Sequence, residues 1–306
     1  MKIDAFAKDP LQQAVIAAML EESNILQYAE FYSIIGNSAY TRKAASVSGG
    51  AFRDLNDAYT GVEATPVYAN PSLTIFGDEV LVDQAHERRG ADVASVRSQQ
   101  LLAFARSYGK RFQHYFVNGN SAAASKQFDG LKLLVPSGQT LEAADNGFSI
   151  PLGNSDENKT AQQEFLEMID NLIAIVAGGA QLLLMPARIL SRLSRIAEGQ
   201  VRWEKDEFGS PLAMYNGIPL LSAGYNEAGG EIISFTETQG TASDTASIYA
   251  LRFGEAEKLS LATNIGVSVK DAGLVKNNYV HNVDFDLTMV LCDDKAVARL
   301  KGLKVA

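Results

Sequence analysis

Three histidines, one cysteine and two carboxylate pairs are the residues of this chain with the most obvious chemistry. His86, His114 and His281 stand far apart in the sequence and share no metal-ligand spacing. A zinc site draws on about four such ligands. Cys292 closes the apolar run TMVLC with no CxxC partner, where a small buried hydrophobe is the default reading. A lone cysteine closes no intramolecular disulfide, so nothing marks an oxidising compartment. Asp284/Asp286 and Asp293/Asp294 are the carboxylates that could move protons or hold a divalent cation. In VDFDLTMVL, however, strand alternation sets Asp284 and Asp286 opposite Val283, Phe285 and Leu287, which is the pattern of a solvated strand face. No GxxxxGK[ST], GxGxxG or GxSxG occurs. The residues therefore nominate no catalytic group, no cofactor and no metal. The small basic cluster His86-Glu87-Arg88-Arg89 reads either as a salt-bridged helix end or as an anchor for acidic groups on another subunit.

A chain without chemistry directs attention to the elements that would have carried it. The 306 residues suffice for one large domain or two ordinary ones, and a 46% hydrophobic content supports a sizeable core. A net charge of −9 argues against gripping nucleic acid by counterion release, which needs a basic face. The N-terminus lacks the basic and long apolar regions of a signal peptide. No stretch approaches the ~20 apolar residues of a membrane span.

Residues 9–33 read as a helix, with Asp9 as N-cap, Pro10 in the first turn, and Val15, Met19, Ile25 and Tyr28 along one face. An arm and a core element are both open for it. EATPVYA and SLTIFGDEVLVD alternate as two strands around a turn, a long hairpin with thin apolar content. Such a hairpin is marginal alone in water and needs a partner surface. The strongest helical signal covers 91–116, where Val93, Val96, Leu101, Phe104, Tyr108, Phe112 and Tyr115 recur at mostly three- or four-residue spacing. Asn118-Gly119 stops it, and FDGLKLLV then reads as a strand. Residues 160–179, QLLLM and ARILSRLSRIAEG form a helix–strand–helix unit. From residue 200 onward strands dominate, and residues 235–247 read as a mobile loop tip.

Five pieces of this text, in this order, resemble the Hong Kong 97-type major capsid proteins of tailed bacteriophages. They are HERRGADVASVRSQQLLAFARSYGKRFQHYFVNGN, FDGLKLLV, YNGIPLLSAGY, TASIYALRFGE and VDFDLTMVLCDDKAVARLKGL. The resemblance implies an α+β fold with an N-terminal arm (1–45), an extended β-hairpin loop (46–85), a peripheral domain (86–145 and 276–306) carrying a spine helix (91–116), and an axial domain (146–275). It implies a subunit that self-assembles into pentamers and hexamers of an icosahedral head enclosing double-stranded DNA. Its further partners would be scaffold, portal and decoration proteins, with assembly in the host cytoplasm and the product in the virion. Phe52, Tyr59, Tyr68, Leu73 and Phe76 are the expected inter-subunit contacts, with Arg53, Arg88 and Arg89 as polar anchors. The chain has no Lys between Lys43 and Lys110, so an isopeptide cross-link from the extended loop is not expected. An encapsulin-like cellular compartment shares the implied fold, and a soluble α/β enzyme is the remaining alternative.

Overall fold

The computed structural model describes residues 1–38, 41–43, 52–59, 61, 67–90, 92–206 and 209–305. Its organising element is the long helix. In chain order the helices are α1 (Pro10–Glu22), α2 (Asn24–Tyr28), α3 (Ala85–Arg88), α4 (Val93–Asn118), α5 (Leu131–Leu134), α6 (Asp156–Ile175) and α7 (Ala187–Ile196). Among the described residues no helix is long and apolar enough to cross a membrane. Helix α4 starts where the Asp92 carboxylate accepts a bond from the Ala94 amide. Leu101, Ala105, Tyr108, Phe112 and Phe116 recur on its buried face. Gly109 in its middle costs about 1 kcal/mol relative to alanine in an isolated helix. Here it has a reason: a Cβ at Gly109 would lie 2.6 Å from the Met19 carbonyl oxygen, because α1 crosses α4 at that point.

Helix α1 is capped as its sequence foretells, with Asp9 accepting from the Gln12 amide at 2.9 Å and Pro10 in the first turn. Val15, Ile16 and Met19 are fully buried. Residues 9–33, read as one helix that could be an arm or a core element, are instead two helices broken at Ser23 and a short strand, Phe31–Ser33, all folded into the body of the chain. The apolar stripe of α1 is buried against the apolar stripe of α4, which leaves no reason to extend.

The strands are β1 (Phe31–Ser33), β2 (Thr41–Lys43), β3 (Val67–Ala69), β4 (Thr74–Asp83), β5 (Thr140–Glu142), β6 (Phe148–Ile150), β7 (Leu182–Met185), β8 (Val201–Lys205), β9 (Pro211–Tyr215), β10 (Ile218–Ser222), β11 (Glu237–Gln239), β12 (Ala242–Leu251), β13 (Leu259–Val275), β14 (Asn278–Leu291) and β15 (Val297–Val305). They form a four-stranded sheet in the order β1-β13-β14-β4 under α4, a nine-stranded sheet with the path β5-β15-β12-β7-β10-β9-β8, and a two-stranded ribbon β2-β3.

Four expectations change at this point. First, VYA and SLTIFGDEVLVD do not pair with each other. β4 lies antiparallel on β14, from Asn278↔Asp83 to Leu287↔Thr74, while VYA (β3) pairs with β2. The inward alternation of β4 finds its cover within the chain. Second, LKLL is one turn of helix. Gly119 and Gly130 meet with no room for side chains, a Cβ at Gly130 falling 2.7 Å from the Gly119 nitrogen. Between them the Asn120 side-chain oxygen accepts from the Ala122 and Ala123 amides, and Asp129 accepts from Ser121. The polar run after α4 is therefore a closed loop that returns Phe128 and Leu131 to the core. Third, residues 235–247 are no mobile tip. β11 and β12 pair across them, and Thr245 and Ser247 are buried. Fourth, the sheets do not follow the division at 145 and 275. β13 belongs to the four-stranded sheet, and the C-terminal β15 joins the nine-stranded one.

Candidate inter-subunit surface

The histidines, the cysteine and the carboxylate pairs named from the sequence stand in separate surroundings. Among the described residues no three His, Cys, Asp or Glu side chains converge to hold a metal ion. His86 is exposed, whereas His114 is half-buried on α4, and burial pushes its pKa down. Asp284 and Asp286 lie on the outer face of β14 as the alternation required. Asp286 accepts from Asn264 at 3.1 Å, and a Cβ at Gly77 would come within 2.6 Å of the Asp284 carboxylate. The Asp293 carboxylate accepts from the Lys295 amide and pairs with the Lys258 ammonium. Burial opposes its ionisation, but these partners outweigh burial and hold its pKa below the usual carboxylate range. The Cys292 thiol is buried in a small cluster with Leu73, Ala262 and Val290.

One polar junction ties the start of α4 to the β13–β14 hairpin. The Arg97 guanidinium bonds the Asp271 carboxylate at 2.6 Å, approaches His281 Nε2 at 3.3 Å, and lies 4.9 Å from the Tyr279 ring centre. Tyr279 in turn donates to Glu87. His281 is buried, and its Nδ1 has no hydrogen-bond partner among the described residues. Burial first, and the Arg97 charge second, hold its pKa down against the opposing pull of Asp271. The first two turns of α4 bury no apolar side chain, Leu101 being the first, so this junction is their principal tie to the sheet.

What the body does not absorb is a set of exposed apolar side chains. Phe52 and Leu55 are 108% and 90% exposed, and Tyr59 is 79% exposed. All three lie in the segment 52–59, between β2 and β3. The segment closes on itself. Arg53 donates to the carbonyls of Asp54 and Asp57 and lies 4.4 Å from the Tyr59 ring, and the Asp54 amide reaches the Asp57 carboxylate. Asn56 takes a left-handed conformation at φ 72°, which asparagine tolerates better than most residues. The result is a small knob that turns Phe52 and Leu55 outward.

The expected contact residues therefore divide. Phe52 and Tyr59 are exposed, and Arg53 folds inward to brace the knob. Leu73 is buried at 9% exposure, and the Phe76 ring stacks on Tyr108 at 4.1 Å while meeting Tyr115 edge-on. These two residues are engaged inside their own chain, Leu73 with Ala262 and Val290 and Phe76 under α4. Arg88 and Arg89 are exposed at the end of α3, and Arg88 bonds Gln84. Tyr68 lies in β3, and its side chain falls outside the described set. Sequence reasoning passed over Leu55, whose signal was a lone leucine in a polar turn (RDLND). It also passed over Ile75 and Trp203, 72% and 60% exposed on the edge strands β4 and β8.

No family model matches the sequence. No curated protein matches it either. Solved structures do. The holo-SrpI encapsulin complex from Synechococcus elongatus PCC 7942 superposes with a TM-score of 0.63 at 15% identity, over 92% of this chain and 87% of that one. The capsid of the native GTA particle gives 0.60 at 14% identity, over 94% and 90%. A structure of Microbacterium phage Oxtober96 gives 0.54 at 13% identity, over 93% and 91%. At these identities the likeness establishes the fold. The chain has the Hong Kong 97-type α+β fold that its sequence resembles.

Proposed function

We propose that the chain is a shell subunit, and that it assembles into the pentamers and hexamers of an icosahedral phage-type head around double-stranded DNA. The observation that carries this reading is the knob. A folded body with an extensive apolar core nonetheless leaves Phe52, Leu55 and Tyr59 exposed in the segment between the paired strands β2 and β3. An isolated ribbon of this size is marginal in water, and a neighbouring subunit would supply the missing burial. The fold supports the reading, since the solved structures that share it are capsids and encapsulins. The net charge of −9 suits a container that holds DNA without binding it tightly. Scaffold, portal and decoration proteins would be its partners, the host cytoplasm its place of assembly, and the virion its destination.

The encapsulin-like reading rests on a specific observation as well, namely the 0.63 TM-score against an encapsulin shell. The two share every step up to the contents of the shell. The test is to express the chain alone and examine it by size-exclusion light scattering and negative-stain microscopy. Closed particles or rings of subunits are the expected result, and a stable monomer or dimer under crowding overturns both readings. Particles purified from the native source then separate them: packaged DNA fits the phage head, and a defined protein cargo without DNA fits the compartment.

A further inference from the structure

Strand β8 (Val201–Lys205) ends the nine-stranded sheet. β9 pairs along one edge of it, and among the described residues nothing pairs along the other. An open edge carries unpaired amides and carbonyls, which are a template for a further strand. Every residue of β8 after Val201 is exposed. Alternation puts Trp203 on one face of the strand and Arg202 and Glu204 on the other. Beside Trp203 opens a groove of about 650 Å³, walled by Leu190, Leu212 and Leu220, and the indole is 60% exposed. The residues opposite Arg202 and Glu204 on β9 are Met214 and Leu212. Neither charge has an ion-pair partner among the described residues.

We infer that β8 of one copy pairs antiparallel with β8 of a second copy, about a two-fold axis that sets Trp203 opposite Trp203. The occupant is a second copy because the order of side chains along β8 is complementary to itself. In this register Arg202 of each copy faces Glu204 of the other, and Val201 faces Lys205. Opposite charges directly across a strand pair stabilise it, and like charges destabilise it. The two-fold axis keeps each face on its own side, so the register slides only in steps that bring residues of one face together. One step in one direction sets Arg202 on Arg202, and one step in the other sets Glu204 on Glu204. Parallel pairing in register sets like on like throughout. The charges therefore select one orientation and one register. An edge defended against pairing carries charges, lysine above all, that repel a second edge, whereas Arg-Trp-Glu attracts its own copy. The two indoles come side by side on the groove face, an aromatic cross-strand pair, and tryptophan is among the residues in which contact energy concentrates. Such a contact is self-complementary and closes at two copies. It does not depend on the shell reading, and within a shell it would lie on a two-fold axis.

The single cysteine makes the test clean. In a Cys292→Ala background, Trp203→Cys is compared with Lys205→Cys, each chain being oxidised with diamide and its links read by peptide mass spectrometry. A disulfide closes only when the two Cβ atoms come within about 4.5 Å. In the inferred register the two 203 positions are opposite each other, while the two 205 positions stand four residues apart, roughly 13 Å. The expected result is a Trp203→Cys dimer at least about tenfold more abundant than the Lys205→Cys dimer. Arg202→Glu added to the Trp203→Cys chain should cut the link at least about fivefold, since both charge pairs become repulsive, and Arg202→Glu with Glu204→Arg should restore it. Should Trp203→Cys not fold, Val201→Cys and Lys205→Cys on separately tagged chains read the same register, and their mixed dimer is expected. Equal linking at 203 and 205, no link at either set of positions, or a link indifferent to the charge exchange overturns the pairing. Particles that form without the link overturn the pairing and leave the shell reading standing. A linked dimer that builds no particles supports the pairing and counts against the shell reading.

Discussion

The face of α4 and the knob at 52–59 use the same kinds of residue to opposite ends. On α4, Tyr108, Phe112 and Phe116 are buried among Phe76, Phe128, Phe253 and Phe285, ring against ring. On the knob, Phe52 is fully exposed and Tyr59 lies under the Arg53 guanidinium. The body is paid for by its own burial, and the knob by a brace of hydrogen bonds that holds two anchors ready. Apolar residue type thus says little about where stabilisation is collected. Burial in one region stabilises the fold, and burial of the other would stabilise a contact between copies.

Substitutions that act on one region and spare the other sharpen this contrast. The largest effect on the isolated subunit is expected from Phe112→Ala. It empties a fully buried site and should cost about 3–5 kcal/mol, read from the midpoint of denaturant unfolding. Next comes Gly109→Ala, where two effects oppose. Helix propensity favours alanine by about 1 kcal/mol, but the new methyl would meet the Met19 carbonyl oxygen at 2.6 Å, and that atom is backbone. Forcing α1 off α4 should win, with a net loss of roughly 1–3 kcal/mol. A gain in stability would show that α1 sits less tightly on α4 than described.

The third test uses pH. His281 is held neutral in the fold, its pKa below the ordinary value of about 6.5. Between that value and the lower folded one the unfolded chain binds more protons, so stability falls as pH drops below about 6.5. Arg97 and Asp271 are the charged groups that face the ring, and His114 on α4 adds a contribution of the same sign. His281→Gln should flatten part of the decline in melting temperature between pH 7 and pH 5. An unchanged pH profile would remove His281 from the joint at the start of α4. The smallest effect on the subunit is expected from Phe52→Ser, within about 0.5 kcal/mol by thermal melting, as for a surface site. A loss of several kcal/mol there would place the knob in the body's own energetics and dissolve the comparison.

How much of this was legible in advance depends on the range of the signal. The cap at Asp9, the buried stripe of α4 and the outward aspartates of β14 are set by neighbours within a few residues, and the sequence shows them. The candidate surface was half legible. Phe52 and Tyr59 are apolar residues stranded in polar sequence, and they are exposed. Leu73 and Phe76 have the same local appearance, yet residues distant in sequence cover them, Ala262 and Val290 around Leu73 and the α4 tyrosines around Phe76. Arg53 was read as an outward anchor because its charge is visible in the sequence, whereas the carbonyls that turn it inward exist only once the turn has formed.

By itself, then, the sequence determined the buried faces of α1 and α4, the alternation of the long strands, and the order of pieces that mark the fold. The tertiary structure decided which strands meet, that residues 1–33 join the core, that β15 completes the nine-stranded sheet, and that α1 crosses α4 at the one residue without a side chain. The physical reason is that periodicity is written in adjacent residues, while register and crossing are chosen among distant partners. That choice is settled only when all of the apolar faces must be covered at once.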